Sequence, residues 1–432
     1  MDAFADLRTK FNNMSLEQKG QFCTNFAKIT VDSNNEQQKQ FLNECTQIYN
    51  SLLQDEKAEP VIIESEKAEP VINESVSERP ETTTNIIEDT KPTLKSALDK
   101  VTSKINTMTG ETGSVDLRLR DLFSGVFKKH TRAESDEIFI AGTVHTTPDE
   151  SDIAVSWPKP WLFSRVMLAL LLTFGLLYVC TMHFMNPNML PGLMFIGALA
   201  IPFSVMVFIF ETNAPRNISI FEVIKMFFVG GVASLVLSLL LFEIVPVGEM
   251  GYIGALTVGF VEEVGKLLAI VIFVRMLNPR YILNGMLIGA AIGAGFAVFE
   301  TAGYGFRFYV MSGFNLDVML DVLFNRAWSS IGAHVAWATV TGAGLVYIKG
   351  DAEFNFSNIF NVKFLKFLAI PIIMHAIWNS PLFTGNMTLL YIKMAALIAA
   401  IWIVIIVFIN AGLKQVERIC SGTNNTNNQA AQ

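Results

Sequence analysis

Apolar residues are concentrated in eight long stretches that begin near Trp157 and continue almost to the C-terminus. Each stretch has about 20 residues or more, the length that an α-helix needs to cross the hydrocarbon core of a bilayer. The stretches lie at 160–183, 190–210, 219–245, 251–277, 282–306, 327–348, 364–384 and 388–412. The pattern therefore predicts an all-α, polytopic membrane domain of about eight transmembrane helices over residues 157–413.

The polar residues on either side of this domain predict a different organisation. Residues 1–53 have the pattern of a small helical cytosolic module. Residues 54–91 contain a tandem repeat, EKAEPVIIES followed by EKAEPVINES, whose prolines and glutamates favour an extended acidic linker. Residues 92–156 form a cytosolic segment of unknown fold, within which the pattern at 137–146 indicates a strand. Residues 414–432 are predicted to be a polar, disordered tail.

Composition and charge exclude several classes of protein. Hydrophobic residues make up 51% of the chain and charged residues 16%. These values disfavour a wholly soluble enzyme, a fully disordered chain and a nucleic-acid binder. Residues 1–155 carry 27 acidic and 17 basic side chains, whereas the remainder carries 12 and 15. We therefore expect the bilayer to surround the apolar part, and a cytosolic protein to be the partner of the acidic N-terminal region.

Lysine and arginine are distributed unevenly between the two ends of the predicted spans. Basic residues favour the cytosolic side of membrane proteins. Eleven of them fall at one end of the spans: Lys159, Arg165, Arg216, Lys225, Arg275, Arg280, Lys349, Lys363, Lys366, Lys414 and Arg418. The other end has only Arg307, Arg326 and Lys393. With an even number of spans, this predicts a multi-pass protein of the cell membrane whose two termini are both cytosolic.

Four of the predicted spans contain ionisable or amide side chains, which are costly in a membrane and are therefore functional candidates. These residues are Glu262, Glu263 and Lys266 in GFVEEVGK, Glu300 and Tyr304 in FETAGY, His334 in GAHVAW, and His375 and Asn379 in HAIWN. At about 1.5 Å per residue, Glu262, His334 and His375 lie roughly 10–17 Å below the outer surface. This common depth indicates one shared site. The spacing of Glu262 and Lys266 places both on one helix face and is typical of an ion pair.

The order and spacing of these motifs resemble the PrsW family of intramembrane proteases, a distant relative of the CAAX-protease and bacteriocin-immunity superfamily. The resemblance rests on EExxK, FExxxY, an isolated intramembrane histidine and HAxWN, and it covers roughly residues 160–412. It implies an intramembrane endopeptidase that cleaves a membrane-anchored protein near its extracytoplasmic side. It further implies regulated proteolysis signalling, with a substrate similar to an anti-sigma factor.

The resemblance also implies a role for each candidate residue. Glu262 would activate the water molecule, with Glu263 and Lys266 positioning it. Adjacent buried carboxylates hinder each other's ionisation, so one of them can remain a base while the other holds a proton. No cofactor or metal is part of this glutamate mechanism.

The remaining candidates would assist the reaction. His334 would orient the water or shuttle a proton, and Glu300 would orient a histidine. His375 and Asn379 lie one helical turn apart and would donate hydrogen bonds to the oxyanion.

Two alternatives remain open at this point. A zinc-dependent membrane protease would use the same histidines and glutamates as ligands, although the helical HExxH motif is absent. A proton- or ion-coupled transporter would also have buried glutamate and histidine side chains. Residues 160–277 and 282–412 do not resemble duplicated halves, which disfavours the transporter.

Overall fold

A computed structural model describes residues 11–12, 16, 19, 22–23, 36–56, 85–116, 119–249 and 251–430 of the chain. Most of the predicted linker, at 57–84, and much of the predicted module at 1–53 lie outside these residues. Throughout the described part the regular secondary structure is helical, and it contains no strand. The prediction of an all-α protein is therefore confirmed.

Within the described residues from Glu36 onward, four α-helices precede the membrane domain: α1 (Glu36–Glu56), α2 (Asn85–Met108), α3 (Leu119–Leu122) and α4 (Arg132–Phe139). Helix α4 shows that the strand predicted at 137–146 was wrong. Thr131 and Glu134 form a capping box, in which each side chain accepts a hydrogen bond from the other residue's backbone N–H. A capping box satisfies donors that the first helical turn would otherwise leave free, so it favours a helix at this point.

Contacts group the chain into two compact units, one of Met1–Thr82 with Tyr309–Asn315 and one of Thr83–Phe308 with Leu316–Gln432. In the first unit, the described side chains include a small buried apolar cluster. Its members are Phe11, Cys23, Phe41 and Cys45, with Phe22 and Tyr49 packed against it. The second unit contains the membrane domain and the segment that leads into it.

The membrane domain consists of ten α-helices within the described residues. They are α5 (Leu162–Met182), α6 (Leu190–Thr212), α7 (Ile220–Lys225), α8 (Gly231–Ile244), α9 (Tyr252–Leu277), α10 (Ile282–Met311), α11 (Leu316–Ser329), α12 (His334–Lys349), α13 (Val362–Asn379) and α14 (Met387–Ala430). A π-helical turn at Met226–Gly230 joins α7 to α8 in one continuous rod. Short or abutting helices thus combine into longer spans.

Seven helical segments among the described residues are long and apolar enough to cross a membrane. The one predicted span outside these seven is 251–277, which corresponds to α9; this helix has 26 residues but contains Glu262, Glu263 and Lys266. These charges, and not its length, separate α9 from the seven. The chain is therefore a polytopic membrane protein, and its most polar span lies where the sequence predicted a site.

The span predicted at 327–348 is interrupted. Helix α11 ends at Ser329, a 3₁₀ turn occupies Ser330–Gly332, and α12 begins at His334. Glycine, here Gly332, is a weak helix former. A Cβ atom on Gly332 would lie 2.6 Å from Ile398 Cγ1, so the turn packs closely against α14. As a result, His334 is the first residue of a helix and not an interior one.

Helix α14 continues through Ala430, so the segment predicted as a disordered tail at 414–432 is largely helical. The cause is a set of contacts that the local sequence does not reveal. Lys414 Nζ lies 3.5 Å and Arg418 Nη1 2.5 Å from the carboxylate of Glu111. These ion pairs hold the end of α14 against the segment that follows α2.

Close backbone packing brings the site-bearing helices together. A Cβ atom on Gly289 of α10 would lie 2.0 Å from Ala338 O of α12. Likewise, a Cβ atom on Gly259 of α9 would lie 3.0 Å from Ile372 O of α13. Small residues allow helices in membranes to approach closely. The glycines thus place α9, α10, α12 and α13 around one interior space.

Candidate active site

A cavity of about 420 Å³ lies among these four helices and α11. The structure brings all seven predicted catalytic residues to it or directly behind it. Five of them line the cavity, namely Glu262, Glu300, His334, His375 and Asn379. Glu263 and Lys266 are fully buried behind that wall. Residues from four separate helices therefore form one polar cluster.

Lys266 is the buried cation at the centre of this cluster. Its Nζ lies 2.6 Å from Glu263 Oε1 and 2.8 Å from His334 Nδ1. It also lies 4.4 Å from the centroid of the Phe296 ring. The ion pair predicted between Lys266 and Glu262 is therefore not the one observed. Residues three and four positions apart share a helix face, and here contacts from α10 and α12 select the three-residue spacing.

His375 is held in one orientation by Glu263 and Trp337. Its Nδ1 lies 2.9 Å from Glu263 Oε1, and its ring stacks on Trp337 with a centroid distance of 4.5 Å. Because a carboxylate accepts hydrogen bonds, the hydrogen of the neutral ring is assigned to Nδ1. The unprotonated Nε2 then faces Glu262 Oε2 at 3.7 Å. This arrangement makes Nε2 an acceptor.

His334 is held in the opposite way, between a cation and a carboxylate. Lys266 can only donate, so His334 Nδ1 accepts from it, and His334 Nε2–H donates to Glu300 Oε2 at 3.0 Å. Glu300 also pairs with Arg326 Nη2 at 2.5 Å. The guanidinium carbon of Arg326 lies 4.4 Å from the centroid of the Tyr304 ring. Both nitrogens of His334 therefore have partners within the site.

Glu262 differs from the other two carboxylates of the site. Glu263 pairs with Lys266 and Glu300 pairs with Arg326, which leaves Glu262 without a cationic partner. Its Oε2 is buried and has no hydrogen-bond partner. A buried carboxylate without a partner is strongly disfavoured. A water molecule, a proton or a cation bound in this cavity would therefore stabilise the Glu262 carboxylate most.

Three residues of the same cluster also have the composition of a metal site. Glu262, His334 and His375 each offer one ligand atom, and these atoms lie within 4.8 Å of one another. Two histidines and one glutamate match a known type of catalytic zinc site. Glu263 accepts a hydrogen bond from His375, as carboxylates often do behind the ligating histidines of such sites. The donor set fits a metal ion in number and type, although His334 Nδ1 would first have to part from Lys266.

Sequence reasoning missed two residues of the site. Arg326 was counted among residues that connect the spans, but it lies in α11 and pairs with Glu300. The sequence feature that could have identified Arg326 is its position as a basic residue within an apolar stretch, eight positions before His334. Trp337 lines the cavity, and its buried indole nitrogen has no hydrogen-bond partner. Its signal was its spacing of three residues from His334, which places both on one face of α12.

Comparison with known proteins agrees with this arrangement. Residues 214–410 match the family described as PrsW family intramembrane metalloprotease. The matched range contains every residue of the polar cluster. No curated protein and no solved structure matches the chain. The resemblance indicated by the sequence motifs is confirmed: residues 214–410 are similar to the PrsW family of intramembrane proteases.

Proposed function

We propose that the protein hydrolyses a peptide bond of a membrane-anchored protein by means of a water molecule activated by Glu262. The supporting observation is the unpaired state of the Glu262 carboxylate, which faces the cavity beside His375 Nε2. The other two carboxylates of the site already have cationic partners. Glu262 is therefore the group best able to take a proton from water.

The reaction would proceed by general acid–base catalysis. A water molecule would donate one hydrogen bond to Glu262 Oε2 and another to His375 Nε2. As its oxygen attacks the carbonyl carbon of the peptide bond, its proton would pass to Glu262. The protonated Glu262 would then give that proton to the departing amine, and the C–N bond would break.

The developing oxyanion needs hydrogen-bond donors. Asn379 and Trp337 both line the cavity, and the Trp337 indole N–H has no other acceptor. We assign the oxyanion to these two groups. His375 was expected to donate as well, but its ring hydrogen is directed at Glu263. This geometry supports a role for His375 in orienting the water instead.

Glu263 and Lys266 would act as positioning residues. Glu263 holds His375, and Lys266 holds both Glu263 and His334. Glu300 and Arg326 extend the same network on the other side of His334. Such support fixes side chains to a fraction of an ångström, and losing it slows catalysis without removing the reacting group.

A metal-dependent protease is the second candidate, favoured by the cluster of Glu262, His334 and His375. The description of the matched family as metalloproteases also supports it. These three residues would hold the ion. When bound, a metal such as zinc supplies a Lewis acid that lowers the pKa of water. Glu263 would orient His375 in this case too.

One experiment tests the function and separates the two mechanisms. The purified full chain is placed in liposomes with a single-span substrate protein, and cleavage is followed with Glu262→Gln and with the exposed control Glu243→Gln. We expect Glu262→Gln to abolish turnover and Glu243→Gln to retain it. Activity that survives exhaustive chelation supports the glutamate mechanism. Activity lost on chelation and restored by zinc supports the metal mechanism, and full activity of Glu262→Gln would refute both.

Topology and substrate belong to the same proposal. We infer cytosolic termini from the distribution of lysine and arginine, and cleavage of a substrate similar to an anti-sigma factor near its extracytoplasmic side. Asn188 and Thr384 lie in connections at one end of the bundle. Reporter fusions there should be extracytoplasmic, and a fusion at Gly350 cytosolic. The opposite result would refute the inferred orientation of the chain in the membrane.

A further inference from the structure

A second cavity, of about 500 Å³, lies at the ends of α5 and α6. It shares no lining residue with the cavity of the candidate active site. The segment that leads into α5 forms one wall, and the turn that follows α6 forms the other. Helix α5 begins at Leu162 and α6 ends at Thr212, so the cavity lies where two apolar spans end. Trp157 and Trp161 line it. Tryptophan is enriched at the level of lipid headgroups.

Two hydrogen-bond donors in this cavity have no acceptor. Asn213 is 2% exposed, and its Nδ2 has no partner. Its Oδ1 accepts from Asn284 Nδ2 at 2.9 Å, which orients the amide. The indole nitrogen of Trp157 is also buried and unpartnered. Buried donors of this kind are rare, because each one costs free energy until an acceptor binds.

Two cations lie beside these donors. Lys159 and Arg216 line the cavity and are exposed, and neither forms a salt bridge with another described residue. Arg216 has a φ of 44°, in the left-handed region that is uncommon for residues other than glycine. Its backbone N–H donates to Asn213 O at 2.9 Å, which closes the turn. The turn thus places a buried amide and an exposed guanidinium side by side.

Two acidic residues also line the cavity, and they limit the charge that it accepts. The Glu211 carboxylate accepts three backbone N–H groups at the start of α5, each at 2.8 Å. Its charge is therefore compensated by the positive end of the helix. Asp152 is exposed and has no such compensation. The other charged side chains of the cavity, Lys159, Arg216 and Asp152, sum to one positive charge. This net charge suits a ligand with one negative charge better than a dianion.

We propose that this cavity binds the phosphodiester of a membrane phospholipid headgroup. A phosphodiester carries a single negative charge and has two oxygens that accept hydrogen bonds, which matches the donors and cations described above. Basic pockets at the ends of transmembrane helices are a recognised way to bind lipid headgroups. This site is separate from the proposed protease centre, and no step of hydrolysis depends on it.

Lipid titration of the purified full chain in detergent, followed by native mass spectrometry, tests the proposal. Phosphatidylglycerol is the probe, and inorganic phosphate is the competitor. Arg216→Gln removes an exposed cation, and Trp157→Phe removes the indole N–H, together with the pyrrole part of the ring, while keeping an aromatic side chain. Arg307→Gln is the matched control, because it removes an exposed arginine near the C-terminal end of α10 that does not line this cavity. Since a hydrogen bond to a charged group is worth about tenfold or more in affinity, Arg216→Gln should weaken binding by about tenfold.

Weaker lipid binding in Arg216→Gln and Trp157→Phe, with Arg307→Gln unchanged, supports the site. Equal affinity in the wild-type chain and all three variants overturns it. Displacement of the lipid by millimolar inorganic phosphate would overturn the assignment to a lipid and identify free phosphate as the ligand.

Discussion

Replacing Lys266 with methionine removes the central cation of the candidate active site while keeping most of the side chain's length and apolar volume. Lys266 and Glu263 are both fully buried, and their charged atoms lie 2.6 Å apart. In Lys266→Met, the Glu263 carboxylate would remain buried with His375 as its hydrogen-bond partner. Removing one partner of a buried ion pair costs about 3–5 kcal/mol, because the other charge is left uncompensated. We expect a loss of that size in the free energy of unfolding.

The double variant Glu263→Gln with Lys266→Met distinguishes this cause from a general packing defect. Both charges are then absent, so no uncompensated charge remains in the interior. Replacing both members of a buried ion pair is often close to neutral. The double variant should therefore be more stable than Lys266→Met alone. The difference between the observed and additive effects measures the coupling of the pair.

Thermal unfolding of the purified full chain in detergent provides the assay. A change of 1 kcal/mol shifts the midpoint by about 2–4 °C for a domain of 150–250 residues, so Lys266→Met should unfold at least about 6 °C lower. Lys363→Met is the control, since Lys363 is exposed and its charge is worth little. An unchanged midpoint for Lys266→Met, or a double variant less stable than the single one, would refute the buried ion pair.

Three further predictions concern activity, packing and the N-terminal region. Arg326→Gln should lower the kcat of peptide hydrolysis by about tenfold to a hundredfold, because Glu300 and His334 lose their orientation. Arg326→Lys should restore part of this kcat. Gly289→Ala should lower the unfolding midpoint, because the new Cβ would lie 2.0 Å from Ala338 O. Gly303→Ala, whose Cβ would meet nothing within 4 Å, should leave the midpoint unchanged or raise it. A chain that starts at Ser151 should insert and cleave a model substrate while melting at a lower temperature; complete loss of cleavage in a folded chain would assign residues 1–150 to the active form.

The membrane helices were predictable because apolar length alone decides whether a segment can span a bilayer. The interruption at 330–332 was not, since a broken helix and a continuous one can have the same apolar composition. At the break, Gly332 packs closely against Ile398, which is distant in sequence. The helical end of α14 escaped prediction for the same reason, because its ion pairs with Glu111 join positions about 300 residues apart.

The residues that form the candidate site were predictable from the sequence, but the contacts between them were not. Polar residues in apolar spans stand out one by one, and counting along the helices brought Glu262, His334 and His375 to a similar depth. The choice between Glu262 and Glu263 as the partner of Lys266 depended on α10 and α12, which the spacing on α9 does not encode. Local periodicity thus identified the candidates, and tertiary contacts assigned their partners.

The charge balance of the site separates stability from activity. Glu263 and Glu300 each compensate a cation, so replacing either with glutamine leaves Lys266 or Arg326 without its carboxylate. Glu262 compensates no cation, so neutralising it removes an unpaired buried charge and should not destabilise the fold. Glu262→Gln is therefore expected to abolish cleavage at an unchanged or higher melting temperature, whereas Glu263→Gln should lower both. An equal loss of stability in the two variants would mean that Glu262 is a structural member of the network and that another group activates the water.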